Sequence, residues 1–272
     1  MKPADVGTVF DSTDAEFAEL GPVLWNPIGA ATVAAARIHP GERVLDACCG
    51  AGSSAIPAAA AAGPEGRVDA VDLAGSLLEH GRRRAAAAGI GNLVFTRADV
   101  TSWAPAGNEP YDLVQCVHGV FFLPDMDAAV SRLIGLLRPG GRLVVTTWAR
   151  GAMEDFGRAF STAVEKVRGT PGQAPNNRDS VTRIDSEESL GGWMTGLGLE
   201  RVTVTRSPLS LPLDDSLAWT LILGSGFRGL LNGLDDTAVE RVRTILSGLL
   251  RERGLRTLDA TSLIGVGVRP AE

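Results

Sequence analysis

The sequence predicts an α/β fold in which a mostly parallel, doubly wound sheet is covered by helices on both faces. Between residues 43 and 149, short apolar runs alternate with helical patterns, and this alternation is typical of strand–helix–strand units. The runs are continuously apolar, which indicates strands that are buried on both sides. Helices are expected before the sheet, and a helical insertion is expected before its last strand.

The N-terminal region predicts two helices. Thr13 and Glu16 have the spacing of a capping box. Asn26 followed by Pro27 is typical of an N-cap before a proline in the first helical position. We expect the second helix to run from about residue 28 to residue 38 and to end at the sequence His-Pro-Gly.

The next segment predicts five strands with helices between them. The strands are expected at residues 43–48, 67–73, 93–99, 111–119 and 142–149, and the helices at residues 53–63, 76–89 and 125–137. Pro57 must lie in the first turn of its helix, where no backbone amide is missed. An Arg-Pro-Gly-Gly turn at residues 138–141 precedes the fifth strand.

The pattern is looser after residue 150. We expect an exposed loop at 170–180, a helix at 186–198, a strand at 199–211, a helical insertion at about 214–253 and a last strand at 257–270. The predicted division is a helical cap at 1–40, a ligand-binding core at 41–150 and the rest of the sheet with a helical lid at 151–272.

Composition narrows the class of protein. The chain has 272 residues, 44% of them hydrophobic, and a net charge of −6, which indicates a globular protein and argues against a nucleic-acid partner. The only basic triplet, residues 82–84, is interpreted as a solvated helix face. Three cysteines without a Cys-x-x-Cys pair fit a reduced cytoplasm. No signal peptide or membrane-spanning run is expected.

Three carboxylates follow three neighbouring strands. Asp46 ends the first strand, Asp72 the second and Asp99 the third. Because the carboxyl ends of parallel strands meet at one edge of the sheet, where ligands bind, these residues are expected to lie near a ligand. Asp72 could accept hydrogen bonds from both hydroxyls of a ribose. Asp46 could instead be a loop cap, and Asp99 a helix N-cap.

The glycine turn after the first strand does not suit a phosphate. It reads Asp46-Ala-Cys-Cys-Gly50-Ala-Gly52 rather than Gly-x-Gly-x-x-Gly, and its carboxylate would repel a pyrophosphate. Either the glycines serve an ordinary turn, or they let backbone approach a ligand. A nucleoside that carries positive charge and no phosphate is S-adenosylmethionine.

Residues 43–149 resemble the class I S-adenosylmethionine-dependent methyltransferases, in particular the group similar to the ubiquinone/menaquinone-biosynthesis methyltransferases. The motifs are VLDACCGAG, VDAVDL, RADV and the segment from YDLVQC to VVTTW with its Leu-Arg-Pro-Gly-Gly turn. The resemblance implies a seven-stranded Rossmann-like sheet and S-adenosylmethionine as cofactor. The cofactor-binding residues that it implies are Asp46, Ala47, Gly50, Gly52, Asp72, Leu73, Asp99, Val100 and Val117.

The acceptor pocket is less well marked. His118 follows the fourth strand, where matching sequences often have an apolar residue; it could take a proton from the acceptor, or it could only fill space. Wall candidates are Trp25, Phe121, Phe122, Trp148, Trp219 and Phe227, each of which could also pack in the core. No metal site is expected.

The predicted function is therefore methyl transfer to an oxygen, nitrogen or carbon atom of a small molecule, such as a bacterial secondary metabolite or a quinone-like compound. Two alternatives stay open: a protein of this fold that catalyses a cyclisation or rearrangement, and a nicotinamide-dependent oxidoreductase, which the glycine loop disfavours. The apolar stripe at residues 239–250 faces either the sheet or a partner in a homodimer.

Overall fold

The computed structural model describes residues 3–105, 107, 109–169 and 178–271, so most of the loop predicted at 170–180 lies outside the described residues. The strands are β1 (Arg43–Ala47), β2 (Arg67–Asp72), β3 (Leu93–Arg97), β4 (Tyr111–Val117), β5 (Leu137–Trp148), β6 (Glu200–Ser207), β7 (Ser210–Pro212), β8 (Thr257–Asp259) and β9 (Ser262–Val268).

Seven of these strands form one sheet in the order β3-β2-β1-β4-β5-β9-β6. The pairs from β3 through to β5 are parallel, whereas β9 runs antiparallel to both β5 and β6. The predicted mostly parallel, seven-stranded fold is confirmed. The strand order reverses between β1 and β4, and the carboxyl ends there form the crevice in which such sheets bind ligands.

Helices cover the sheet, and some of them form a further layer beside it. They are α1 (Pro3–Asp11), α2 (Asp14–Leu20), α3 (Asn26–Ala36), α4 (Ala55–Ala62), α5 (Gly75–Ala87), α6 (Met126–Gly135), α7 (Glu154–Arg168), α8 (Arg178–Thr182), α9 (Glu187–Gly196), α10 (Asp215–Leu223) and α11 (Asp236–Glu252). No helix in the described part of the chain has the length and apolar character that crossing a bilayer requires.

Alternate residues of each central strand pack into opposite layers. Leu45 and Ala47 belong to one buried cluster, and Val44 belongs to another on the other face. This two-sided burial explains why the strands are continuously apolar. On the second face, α4 contributes only small buried residues, and its Pro57 lies in the first turn as predicted.

A further apolar core lies among α7, α10 and α11. Helix α7 was missed by the sequence analysis, although Phe156, Phe160 and Val164 recur at helical spacing and are buried. The apolar stripe of α11, including Val242 and Leu246, packs against α7, so the covering partner of this stripe is within the same chain. The predicted domain boundaries stay predictions.

The N-terminal helices differ from the prediction in how two of them begin. Residues Gly21–Trp25 form a π-helical turn that joins α2 directly to α3. Asn26 therefore lies inside a continuous helical path and is not an N-cap, because no non-helical residue precedes it. Likewise Thr13 precedes α2 without capping it; its hydroxyl donates to the carbonyl of Phe10.

Two predicted strands are each divided. The segment 199–211 breaks at Pro208, which has no N–H to donate to a strand partner. The segment 257–270 breaks after Asp259, whose Oδ1 accepts from the backbone N–H of Thr261 at 2.9 Å and so stabilises a turn. The outer pieces, β7 and β8, pair with each other in a separate two-stranded sheet.

Candidate functional site

A cavity of about 890 Å³ opens at the carboxyl edge of the sheet, where β1, β2, β3 and β4 end. The loop between β1 and α4, residues 48–54, forms one side and is called the glycine loop below. Helices α1 and α2, the π-helical turn and α7 contribute further wall residues, as do segments at 117–124, 148–153 and 225–227. Its volume is near the upper end of single-ligand pockets, about 300–1,000 Å³, which is room for a cofactor beside an acceptor.

The glycine loop has a left-handed backbone at three residues. These are Cys48 (φ 59°), Gly50 (φ 51°) and Gly52 (φ 78°). A Cβ at Gly52 would lie 2.8 Å from the ring of Phe95, so this glycine serves packing inside the core. Gly50 lines the cavity, whereas Gly52 and Ala47 do not.

Asp72 joins the second strand to the glycine loop. Its Oδ2 accepts from the backbone N–H of Gly50 at 2.8 Å, and its Oδ1 accepts from that of Ala74 at 2.8 Å. Burial raises the pKa of Asp72, and no cation of the described chain forms an ion pair with it. A carboxylate that lines a cavity without a cation is stabilised by further hydrogen-bond donors, as the hydroxyls of a ribose would provide.

Asp99 and Val100 border the same cavity after β3. The Oδ1 atom of Asp99 accepts from the backbone N–H of Thr101 at 2.8 Å and from its hydroxyl at 2.7 Å. These bonds stabilise a turn, and no helix begins there within the described residues 99–105. The N-cap alternative is therefore not supported, and the second carboxylate oxygen is available to a ligand.

Asp46 lies beneath the glycine loop and not in the cavity. The residue is fully buried, and its Oδ2 accepts from the hydroxyl of Ser54 at 2.6 Å and from the side-chain amide of Gln115 at 2.8 Å. It thereby ties the start of α4 to β4. Burial raises the pKa of Asp46 to about 7, so this carboxyl can be protonated near neutrality.

The raised pKa of Asp46 predicts a pH-dependent stability. Because the folded pKa is about 7 and the ordinary value is 3.8, the folded state holds its proton more tightly than the unfolded state does. The free energy of unfolding should therefore fall as pH rises from 4 through 7, by on the order of 3–4 kcal/mol. Asp46→Asn should lack this component in urea unfolding between pH 4.5 and 8.5, and a constant difference from the wild type would contradict it.

Aromatic side chains form much of the remaining cavity wall. The rings of His118 and Trp148 stack with 3.8 Å between centroids, and those of Phe17 and Trp25 with 5.1 Å. The wall candidates that line the cavity are Trp25, Phe121, Phe122, Trp148 and Phe227. Trp219 does not; it packs in the core of α7, α10 and α11, with the guanidinium of Arg243 over its ring.

His118 is held as a neutral ring. Its Nε2 is 3.1 Å from the hydroxyl of Ser262, and its Nδ1 is buried without a partner in the described chain. Burial lowers the pKa of His118 to about 3, so the imidazole carries no charge at neutral pH. With φ at 51°, it has a left-handed backbone, which histidine adopts more readily than most residues. This arrangement favours packing over proton transfer.

The variant His118→Phe tests this interpretation. We expect turnover within a few-fold of the wild type and an unchanged pH–rate profile between pH 6 and 9, because a ring with a pKa of about 3 does not titrate there. Turnover and the affinity for S-adenosylhomocysteine measure the effect. A loss of 100-fold or more, with intact binding and fold, would identify His118 as the base. His118→Asn, which tolerates the left-handed backbone, controls for strain.

Sequence reasoning missed the contribution of α1, α2 and α7 to the cavity. Phe10 and Phe17 line it from the N-terminal helices, and Gly157 and Ser161 line it from α7. Only a helical period marked these segments, and a period does not show which face turns toward a ligand.

Comparisons with known proteins agree with this geometry. Residues 44–141 match a family described as "Methyltransferase domain". The aklanonic acid methyltransferase DauC of a Streptomyces species is 34% identical over 143 residues, which are 52% of this chain and 64% of that protein. The chain thus spans less than two thirds of this relative. The ubiquinone/menaquinone biosynthesis C-methyltransferase UbiE of Ectopseudomonas mendocina is 27% identical over 219 residues, 75% of this chain and 84% of that protein.

The fold has solved counterparts. The structure of the cyclase SpnF aligns with 100% of this chain and with 98% of the SpnF chain, at a TM-score of 0.64 and 16% sequence identity. At this identity, the likeness concerns the fold alone. The matched residues 44–141 include the glycine loop, Asp72 and Asp99. Residues 44–141 of this chain therefore match a methyltransferase domain, and the chain is similar in sequence to the methyltransferases DauC and UbiE.

Proposed function

We propose that this chain transfers the methyl group of S-adenosylmethionine to an oxygen, nitrogen or carbon atom of a small-molecule acceptor and releases S-adenosylhomocysteine. The observation that carries the proposal is the Asp72 carboxylate, which is bonded to the glycine loop and lines a cavity without a cationic partner. Such a group suits the hydroxyls of a nucleoside.

The cofactor would lie along the ends of β1 to β4. Asp72 would accept from the ribose, and Asp99 with Val100 would border the adenine, since these residues line the cavity in that order along the sheet edge. Leu73 and Val117 also line the cavity and would add apolar contacts. Asp46, Ala47 and Gly52 lie outside the cavity and would act only through the shape of the loop.

When bound, S-adenosylmethionine would supply a methyl group activated by its sulfonium, so that a bond from the acceptor's nucleophile to the methyl carbon would form as the methyl–sulfur bond breaks and S-adenosylhomocysteine leaves. The chain's own task is then alignment and the exclusion of water. The stacked pair His118 and Trp148 and the pair Phe17 and Trp25 form apolar walls for this purpose. A neutral His118 fits an enzyme that relies on proximity, which can supply about 7–11 kcal/mol of a barrier.

The acceptor is proposed to be a largely apolar, aromatic or quinone-like metabolite. Seven phenylalanine and tryptophan rings line the cavity wall, and aromatic side chains favour stacked or edge-on contacts with a flat ligand. They are Phe10, Phe17, Trp25, Phe121, Phe122, Trp148 and Phe227. Both methyltransferase relatives described above are named for small molecules, aklanonic acid and ubiquinone/menaquinone. Action in the cytoplasm and assembly as a homodimer stay predictions.

A second candidate function is a cyclisation or rearrangement, because the fold that this chain shares with the cyclase SpnF does not fix the chemistry. The two candidates differ in the mass of the product. A methyl transfer adds one CH₂ unit and consumes the cofactor, whereas a rearrangement does neither.

The experiment is a titration followed by a labelled assay. S-adenosylhomocysteine should bind and NAD(H) should not. The protein is then incubated with S-adenosylmethionine carrying a labelled methyl group and an extract of the source organism, and the labelled product is identified by mass. Absence of S-adenosylhomocysteine binding to folded protein would overturn the proposal. Conversion of a compound of the extract to an isomer of unchanged mass, followed in the same samples without transfer of the label, would favour the second candidate.

A further inference from the structure

Three polar side chains connect the N-terminal helices to the glycine loop. The Nη1 atom of Arg84 donates to the carbonyl of Ala51 at 2.8 Å, and its Nη2 donates to the Oδ1 of Asn26 at 2.7 Å. The hydroxyl of Ser53 donates to the same Oδ1 at 3.0 Å. Arg84, Asn26 and Ser53 are called the latch below.

The latch holds two surfaces that are already in close contact. A Cβ at Gly29, on the first turn of α3, would lie 2.2 Å from the carbonyl oxygen of Ser53, so α3 rests directly on the backbone of the loop. Because Asn26 is not needed as an N-cap, its side chain is free to accept both donors. One oxygen of α3 thus links the loop with α5.

Arg84 belongs to the basic triplet that the sequence analysis interpreted as a solvated helix face, and for Arg84 that interpretation is wrong. It is only partly exposed, and burial lowers its pKa. No carboxylate of the described chain forms an ion pair with it; its partners are the neutral oxygens of Ala51, Ser53 and Asn26. A partly buried cation without a counter-ion is costly, which indicates a specific role.

The latch acts on two adjoining parts of the cofactor cavity. Ala51 lies between Gly50 and Gly52, so its carbonyl is part of the left-handed turn that presents Gly50 to the cavity. In the adjoining wall, Asn26 directly follows Trp25, whose ring stacks on Phe17. A single guanidinium therefore contacts both the loop and the helical path that carries the aromatic wall packed against the loop.

We propose that Arg84 is a positioning residue, which holds the N-terminal helices against the glycine loop and thereby sets the affinity for the cofactor. The expected effect on cofactor affinity rests on the proposed function. The contact between the N-terminal helices and the glycine loop, in contrast, is a property of the ligand-free chain. Arg84 does not line the cavity, so any effect on the cofactor must pass through Ala51 and Asn26.

The test compares Arg84→Met with Arg83→Met, which removes an exposed neighbour on the same helix. In ligand-free protein, hydrogen exchange of residues 14–36 should be faster in Arg84→Met than in Arg83→Met. Calorimetry should show S-adenosylhomocysteine bound about tenfold more weakly by Arg84→Met, the lower end for hydrogen bonds to a charged group, and within twofold of the wild type by Arg83→Met.

A second variant, Asn26→Ala, removes the shared acceptor. If the latch acts as a unit, the variant with both Arg84→Met and Asn26→Ala should bind S-adenosylhomocysteine no more weakly than the weaker-binding of the two single variants. Losses of binding free energy that add in the double variant would overturn the proposal. Equal exchange and affinity in the Arg84→Met and Arg83→Met proteins would also overturn it. If Arg84→Met does not fold, Asn26→Ala alone tests the proposal, by hydrogen exchange of residues 14–36 and by its affinity for S-adenosylhomocysteine. A wild type that does not bind S-adenosylhomocysteine refutes the proposed function, and the exchange comparison still tests the latch.

Discussion

Replacing Asp72 with alanine should weaken S-adenosylhomocysteine binding by roughly 1.5–3 kcal/mol, about 10- to 150-fold. The carboxylate lines the cavity at the end of β2 and accepts two backbone amides, from Gly50 and Ala74. Each oxygen keeps a second acceptor position for a ribose hydroxyl. The variant loses these bonds and also releases the amide of Gly50, so both effects weaken binding in the same direction.

A ligand lacking a ribose hydroxyl separates the two effects. The wild type should bind a 2′-deoxy analogue of S-adenosylhomocysteine more weakly than the parent compound, whereas Asp72→Ala should bind the two alike. Calorimetry on both proteins gives the four affinities of the cycle. An unchanged affinity for the parent compound, with the fold intact by circular dichroism, would refute the ribose assignment.

The sequence was most informative where the chain is periodic and buried. The segment from β1 to β5 was predicted in the correct order because its strands are covered on both faces and its helices lie between glycine and proline signals. The missed helix α7 has an equally clear apolar period, with Phe156 and Phe160 buried. The apolar period of α7 was overlooked because the whole region from residue 150 to the predicted loop at 170–180 was interpreted as irregular.

The site was harder to predict than the fold. A strand end shows which residues approach one edge of a sheet, but not whether a side chain turns toward the ligand or beneath the loop. Asp46 and Asp72 follow neighbouring strands, yet only Asp72 lines the cavity. Trp25 and Trp219 were both predicted from sequence to line the acceptor pocket. Trp25 lines the cavity, whereas Trp219 packs against the core of α7, α10 and α11, and only the packing of distant helices distinguishes the two.

Contacts between distant segments account for the latch as well. Asn26 lies 58 positions from Arg84, and its N-cap signal was a reasonable local prediction. The π-helical turn before it, Gly21–Trp25, adds a residue to the helical path and removes the helix start that a cap would need. Such turns are frequent at functional sites, and no local propensity predicts them.

The largest effect is expected for Gly50→Val, which should abolish measurable S-adenosylhomocysteine binding. Gly50 has φ at 51°, a conformation that costs a β-branched residue about 1–2 kcal/mol or more. A Cβ there would lie 3.3 Å from the ring of Phe17 and 3.9 Å from Leu77, and the two methyl groups of valine would extend further. The loop can relieve this strain only by moving Phe17 or by rotating away from Asp72.

Either movement disrupts the cavity. Rotation of the loop breaks the bond from the backbone N–H of Gly50 to Asp72, and displacement of Phe17 disturbs its stack with Trp25. Gly50 lines the cavity, and the ring of Phe17 from the N-terminal helices lies next to the position that its Cβ would take. The expected loss of binding therefore combines a deformed loop with an opened wall.

Gly89→Val is the matched control, because Gly89 has φ at 69° and a Cβ there would meet nothing within 4 Å. Both variants carry the cost of a left-handed valine, so both should lower the free energy of unfolding. Only Gly50→Val should lose the ligand, as Gly89 does not line the cavity. Calorimetry at a temperature where both variants are folded decides the matter. Wild-type affinity in Gly50→Val would mean that the cofactor does not depend on this loop, since a Cβ 3.3 Å from the ring of Phe17 requires the ring or the loop to shift.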